Sequence, residues 1–292
     1  MQAVSDATTA LMYAQVPSPR VDAELLAAHV LGIPRSRLAQ ASEFTVDELS
    51  RFRELVNRRA ERVPLQYITG AAPFRHLSME VGEGVFVPRP ETEVMVDWAL
   101  HWLGRRPGAV VVDLCAGSGA IAASIAMEGP PADVYAVECQ VGALLWLRTN
   151  ADALNLTRTP ITVVDGDATD PATLAELDGT VDLVLTNPPY VPRIGAAGLP
   201  AEVTADPDDA VFGGTDGLDV IRPLLPRISA LLRPGGAFAL EHDETHAYVV
   251  PALVRAHGGF DDVEVHHDLA RRPRFTTATR TGSSPGSGRL AP

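Results

Sequence analysis

Along the first sixty residues the apolar positions recur at helical spacing. In Ser18-Pro-Arg-Val-Asp-Ala-Glu-Leu-Leu-Ala-Ala-His-Val-Leu-Gly32, the residues Val21, Leu25, Leu26 and Val30 fall on one face, and Gly32 and Pro34 stop the run. Thr45-Val-Asp-Glu48 has the form of a capping box, and the helix it opens presents Leu49, Phe52, Leu55 and Val56. His29 has no partner nearby and reads as a half-buried packing residue. Residues from about Ser5 to Glu61 therefore predict a small helical bundle. From Pro64 to Pro90 the period shortens to extended runs, Leu65–Ile68, Phe74–Val81 and Val85–Val87, punctuated by Gly70, Gly82 and Gly84, which predicts a hairpin-like connector.

Beyond Ala109 the pattern changes again. Val110–Leu114, Val134–Glu138, Ile161–Val164, Val181–Thr186 and Ala237–Glu241 are short apolar runs of the kind that parallel strands buried on both faces show. Helical stretches at Gly119–Met127 and Val141–Leu154 alternate with the earlier ones, so the expected architecture is a doubly wound α/β sheet that binds ligands at the carboxyl ends of its strands. Val263–His267 and Phe275–Arg280 predict a closing antiparallel pair. The resulting division is a helical bundle at 1–72, a hairpin connector at 73–90, a catalytic domain at 91–280 and a disordered tail at 281–292, rich in Gly, Ser and Pro.

Composition narrows the chemistry. The 292 residues carry a formal charge of −13, and all 24 basic residues are arginine. Without lysine there is no Schiff-base, P-loop or kinase-type lysine, which excludes pyridoxal enzymes and most ATP-driven phosphoryl transfer. Uniform basic wrapping of nucleic acid is disfavoured too. Two cysteines make neither a disulfide framework nor a zinc cage, no metal is expected, and Cys115 and Cys139 read as small packing residues. No basic, apolar leader and no run of about 18 apolar residues is found, which points to a soluble cytoplasmic protein.

Two motifs carry chemistry. Val110-Val-Val-Asp-Leu-Cys-Ala-Gly-Ser-Gly-Ala-Ile-Ala122 is a strand, a glycine turn and a helix start, in which Gly117 and Gly119 let backbone approach a ligand closely. Glu138, at the end of the next strand, can accept from both hydroxyls of a ribose. Asp113 and Asp167, also at strand ends, can hold a cationic amino group or an adenine amine, whereas Asp165 reads as a loop cap. The second motif is the more specific. Asn187-Pro-Pro-Tyr190 follows the apolar strand Val181–Thr186, and its two prolines stiffen the turn and leave carbonyls unpaired. The Asn187 amide can dock a planar amide or amidine, the Pro188 carbonyl can take a second N–H, and Tyr190 offers a flat face.

Together these blocks resemble the S-adenosylmethionine-dependent methyltransferases of planar nitrogen, and among them the peptide chain release factor glutamine N5-methyltransferases, the HemK/PrmC family. Pro64-Leu-Gln-Tyr-Ile-Thr-Gly70, Phe86-Val-Pro-Arg-Pro-Glu-Thr-Glu93, Asp113–Ile121, Phe212-Gly-Gly-Thr-Asp-Gly-Leu218 and Asp268-Leu-Ala-Arg-Arg-Pro-Arg-Phe275 are similar to the family's blocks, in the same order. The resemblance implies a Rossmann-like methyltransferase sheet, with S-adenosylmethionine as methyl donor and S-adenosylhomocysteine as product. It implies a cofactor site of Asp113, Cys115, Ala116, Gly117, Ser118, Gly119, Glu138, Asp167, Ala168 and Asn187. It also implies catalysis at Asn187, Pro188 and Tyr190, with Pro189, Arg89 and Glu91 meeting the substrate. Cys115 and Ala116 stand where the family has Gly-Thr, Ala168 where an aromatic residue is frequent, and Asp206-Pro207 where Glu-Pro is usual. Glu241 is kept, but the Ile-Gly that customarily follows it is not. The implied partner is a release factor carrying a Gly-Gly-Gln motif, met by a monomer without membrane or direct nucleic-acid binding; the acidic balance suits a basic, RNA-facing translation factor. The alternatives are a glutamine methyltransferase of a ribosomal protein and, weakened by the −13 charge, a DNA adenine N6-methyltransferase, which also takes a planar NH₂. A nicotinamide-dependent dehydrogenase would leave the Asn187 turn unexplained, and intact Gly117, Gly119, Glu138 and Asn187 speak against an inactive partner-binding relative. Arg271, Arg272 and Arg274 read as a solvated edge.

Overall fold

The structure is a computed structural model, which describes residues 2–104, 106–155, 159–194 and 202–282. It divides into two compact units. The first holds residues up to Ala71 together with Val81–Glu83 and the described residues 202–205; the second holds the rest.

In the first unit, helices α1 (Gln2–Tyr13), α2 (Pro19–Leu31), α3 (Val46–Ala60) and α4 (Leu65–Thr69) enclose a core of Leu11, Leu26, Phe52, Leu55, Val56 and Ile68. The capping box is formed: the Thr45 hydroxyl accepts from Glu48 N–H while the Glu48 carboxylate accepts from Thr45 N–H at 2.8 Å. The buried face of α2 differs from the predicted one. It runs through Asp22, Ala23, Leu26 and Ala27, while Val21 and His29 face outward. An ion pair displaces the aliphatic stripe here: Arg59 Nε donates to Asp22 Oδ2 at 2.7 Å, and Arg59 Nη2 to Glu202 Oε1 at 2.7 Å. Leu65–Ile68, expected to be extended, is helical. Pro64 begins that turn, where a missing N–H costs nothing, and Gly70 in the left-handed conformation ends it.

In the second unit, the hairpin β1 (Ala71–Phe74) and β2 (Leu77–Glu80) precedes α5 (Glu93–Leu103). A seven-stranded sheet follows, of β3 (Ala109–Leu114), β4 (Ala132–Glu138), β5 (Ile161–Asp165), β6 (Val181–Thr186), β7 (Leu232–Glu241), β8 (Phe260–His267) and β9 (Pro273–Arg280), with helices α6 (Ala120–Glu128), α7 (Val141–Asn155), α8 (Asp208–Val211), α9 (Ile221–Leu231) and α10 (Val249–His257). The strand order is β5-β4-β3-β6-β7-β9-β8; the first five are parallel, and β9 joins β7 and β8 antiparallel. The order reverses direction at β3, between β4 and β6, which is where a doubly wound sheet opens a crevice. Val85–Val87 does not become a strand. Val85 and Val87 are buried, and Val87 N–H donates to the Asp206 carboxylate rather than to a ladder. Thr281 is still tied to Gly259 O, and the remainder of the predicted tail, from 283, lies outside the described residues. Among the described residues no helix is long and apolar enough to cross a membrane.

Candidate active site

Strand register gathers the predicted residues at one edge. Leu114 lies beside Val137 on one side and Thr186 on the other, Thr186 lies beside Leu240, and Glu138 beside Asp165. The segments that follow these residues, the glycine turn after β3, Glu138, Asp167, the Asn187 turn and Glu241, therefore emerge side by side. Three buried oxygens without a hydrogen-bond partner among the described residues sit there: Asp113 Oδ1, Thr186 Oγ1 and Glu241 Oε2.

The turn after β3 is built for close backbone approach. Gly117 has φ +56° and a Cβ placed on it would meet nothing within 4 Å, so the backbone faces open space; at Gly119, φ +85°, a Cβ would meet Leu147 Cδ1 at 2.6 Å. Cys115 also takes a left-handed φ, +61°, the conformation glycine adopts without cost and the position where the family has glycine. Its half-buried side chain packs against the core, and burial pushes the thiol well above its usual range. Cys139 is exposed rather than packed, and both thiols are free. Asn150 braces the loop from α7: its Nδ2 donates to Ser118 O at 3.0 Å and Glu80 O at 2.9 Å. No sequence pattern marked it.

The acids divide into distinct roles. Asp113 is fully buried and accepts only from Ala122 N–H, and burial raises its carboxyl to about 8. Glu138 accepts from the amides of Gly117, Cys139 and Gln140, each at 2.8 Å, which fixes the carboxylate beside the glycine turn. Asp167 closes a turn onto Thr169 through Oδ1, and Ala168 is buried in the core. Asp165, read as a loop cap, instead pairs with Arg148 at the surface.

At the Asn187 turn, Asn187 Nδ2 donates to Thr92 Oγ1 at 3.3 Å, so Oδ1 is the end of the amide left to accept. Pro188 is buried and Pro189 half-buried. The Tyr190 hydroxyl points inward and donates to Glu241 Oε1 at 2.9 Å; burial and the Glu241 charge raise its pKa well above the usual phenol range. Behind the turn lies the glycine loop 212–218. Gly213 N–H donates to Val191 O and Arg193 N–H to Gly214 O, while a Cβ on Gly213 would stand 2.6 Å from Pro189 O. Arg89 is engaged by the buried Asp206 and lies over the Phe86 ring; Glu91 pairs with Arg272 at 3.2 Å. Arg274 is not on a solvated edge. It is buried, held by Asp268 at 3.2 Å, and faces Tyr190 and Glu241, because β9 is interior to the sheet beside β7. His242 is buried and neutral: its Nδ1–H donates to Asp243 O, the Thr276 hydroxyl donates to its Nε2, and burial lowers its pKa to about 4.

Residues 2–70 match the family described as PrmC N-terminal domain, and residues 96–197 the Methyltransferase small domain. The chain is 46% identical over 282 residues to a release factor glutamine methyltransferase of Mycolicibacterium smegmatis, covering 97% of this chain and 98% of that protein. It is 43% identical over 293 residues to one of Mycobacterium tuberculosis strain H37Rv, covering 98% and 93%. The chain belongs to the release factor glutamine methyltransferase family. Among solved structures, a methyltransferase from Pyrococcus furiosus superposes on this methyltransferase with a TM-score of 0.52 at 20% identity, covering 78% of this chain and 99% of that one. The hMettl16 catalytic domain gives 0.55 at 15% identity, covering 85% and 86%. These two likenesses bear out the expected methyltransferase sheet.

Proposed function

We propose that this methyltransferase uses S-adenosylmethionine to methylate the side-chain nitrogen of the glutamine in the Gly-Gly-Gln motif of peptide chain release factors. The observation that carries the reading is the Asn187 amide, whose NH₂ is committed to Thr92 and whose oxygen is left as an acceptor beside the Pro188 carbonyl. An amide nitrogen is a poor nucleophile, since its lone pair is delocalised into the carbonyl. Asn187 Oδ1 and the Pro188 carbonyl would accept its two N–H bonds, fix its direction of attack and bind the positive charge that grows on nitrogen more strongly than the neutral ground state. The outer part of the Tyr190 ring, half-buried, would pack against the substrate amide plane.

The residues after β3 and β4 suit the cofactor. The open face at Gly117 gives room for its methionine portion, the unpartnered buried Asp113 Oδ1 suits a cationic amino group, and Glu138 and Asp167 retain acceptor capacity for ribose and adenine. When bound, the sulfonium supplies the methyl group. No histidine base is assigned, since the buried His242 is fully hydrogen-bonded.

The test incubates the protein with labelled S-adenosylmethionine and release factors carrying Gly-Gly-Gln, and locates the methyl by mass spectrometry. Label on that glutamine, lost in Asn187→Ala while cofactor binding persists, supports the reading. Label on a ribosomal protein or DNA alone, or full activity of Asn187→Ala, overturns it.

A further inference from the structure

A carboxamide presents nearly identical shapes with its oxygen or its nitrogen forward, so an amide used as an acceptor must be locked against a flip. Packing alone distinguishes the two ends poorly; a hydrogen-bond partner distinguishes them completely. At Asn187 that partner is the Thr92 hydroxyl, which is buried and receives Nδ2–H. In the bonded arrangement the Thr92 oxygen takes the NH₂ end of the amide, which leaves Oδ1 as the free end. At the other end of the turn the Tyr190 hydroxyl donates at 2.9 Å to Glu241, an acid 1% exposed at the end of β7. Arg274, held by Asp268, supplies the countercharge, and Glu91, the other acid facing Glu241, is held by Arg272.

We propose that Thr92 and Glu241 are positioning residues, Thr92 fixing the Asn187 amide with its oxygen toward the substrate nitrogen and Glu241 fixing the Tyr190 ring at the other end of the turn. The inference deepens the assignment of Asn187 made above and rests on it. Thr92 lies in the Phe86–Glu93 block, and Arg274, which faces Glu241, in the closing Asp268–Phe275 block.

Thr92→Val keeps the shape and removes the hydroxyl; Thr92→Ser keeps the hydroxyl. On release factor, Thr92→Val should lower kcat by about 10-fold or more, by analogy with the losses of about 10- to 100-fold on removing the hydrogen-bond partners of metal ligands, with cofactor Kd and thermal midpoint close to the parent. Thr92→Ser should restore kcat to within a few-fold, and Glu241→Gln should lower kcat while leaving cofactor Kd unchanged. Independently of turnover, the Asn187 side-chain NH₂ resonances, identified by their absence in Asn187→Ala, should shift in Thr92→Val and return in Thr92→Ser. Parental kcat in Thr92→Val, or Asn187 resonances that do not move, overturns the proposal. If the parent protein fails to methylate release factor, the functional reading falls, and the resonances alone then decide whether Thr92 sets the amide.

Discussion

Replacing Gly217 with alanine tests whether the glycine loop 212–218 holds the Asn187 turn in place. Gly217 has φ +79°, and a Cβ there would lie deep inside contact with Tyr190 O and 2.7 Å from His246 Cε1. Neither neighbour is free to yield. The Tyr190 carbonyl belongs to a stiff diproline turn, and His246 is held by its Nε2–H donating to Asp216 O at 2.9 Å. Left-handed backbone costs an L-residue about 1–2 kcal/mol, and forcing a methyl into packed surroundings about 1–3 kcal/mol, so the expected destabilisation is about 2–5 kcal/mol. Gly179 supplies the control, with φ +72° and nothing within 4 Å of its would-be Cβ. Alanine at Gly179 incurs the backbone part alone, so the difference between the two variants isolates the clash. Because the displaced atoms are those of the Tyr190 backbone, a shift of about 1 Å there should also lower the single-turnover rate about 100-fold. Urea unfolding gives the first quantity and rapid-quench methyl transfer to release factor the second. If Gly217→Ala unfolds like Gly179→Ala and turns over like the parent, the loop does not brace the turn.

Two further outcomes are expected. Arg59→Met should destabilise by about 3–5 kcal/mol, because it strands the buried Asp22, and Asp22→Leu/Arg59→Met should recover most of that loss in chemical denaturation. For Asp113, a folded pKa of about 8 against the usual 3.8 means that its contribution to stability is complete below about pH 4 and is lost as pH rises through 8, on the order of 5 kcal/mol in all. Asp113→Asn should remove that slope between about pH 4 and 8. If Asp113 receives the cofactor's amino group, binding at pH 7 should release a proton from the parent and not from the variant, as calorimetry in buffers of different ionisation enthalpy would show.

The parallel strands were the most legible elements, because a strand buried on both faces is a mostly apolar run: Val181–Thr186, interrupted by Asp182, is found with the expected bounds. Where a short apolar run could serve either period, it misled; Leu65–Ile68 became helical under the control of Pro64 and Gly70. Charges inside the fold were harder to foresee. Nothing in Arg271-Arg-Pro-Arg274 says that one arginine is interior, since that follows only from β9 lying between β7 and β8. The site showed the same contrast. Asn187 and the glycines announce themselves by local rules, whereas Asn150, 32 residues from the carbonyl it braces, follows no local rule.

The absence of lysine has a structural counterpart in these interior charges. Arg59 reaches Asp22, Glu202 and the Val63 carbonyl at once, and Arg75 reaches Glu128, Asp97 and the Glu93 carbonyl. Each network spans several chain segments through one planar fork, which an ammonium on a flexible stem cannot present in fixed directions. The consequence reaches the active site through Arg274. A lysine there could neutralise Glu241, but it would carry a compact, strongly hydrated charge that resists burial, and it would lack the fixed fork that meets Asp268 on one side and faces Tyr190 on the other. Arginine at position 274 thus opposes the burial that raises the Glu241 carboxyl to about 7 and favours its acceptor form, on which the Tyr190 hydroxyl depends.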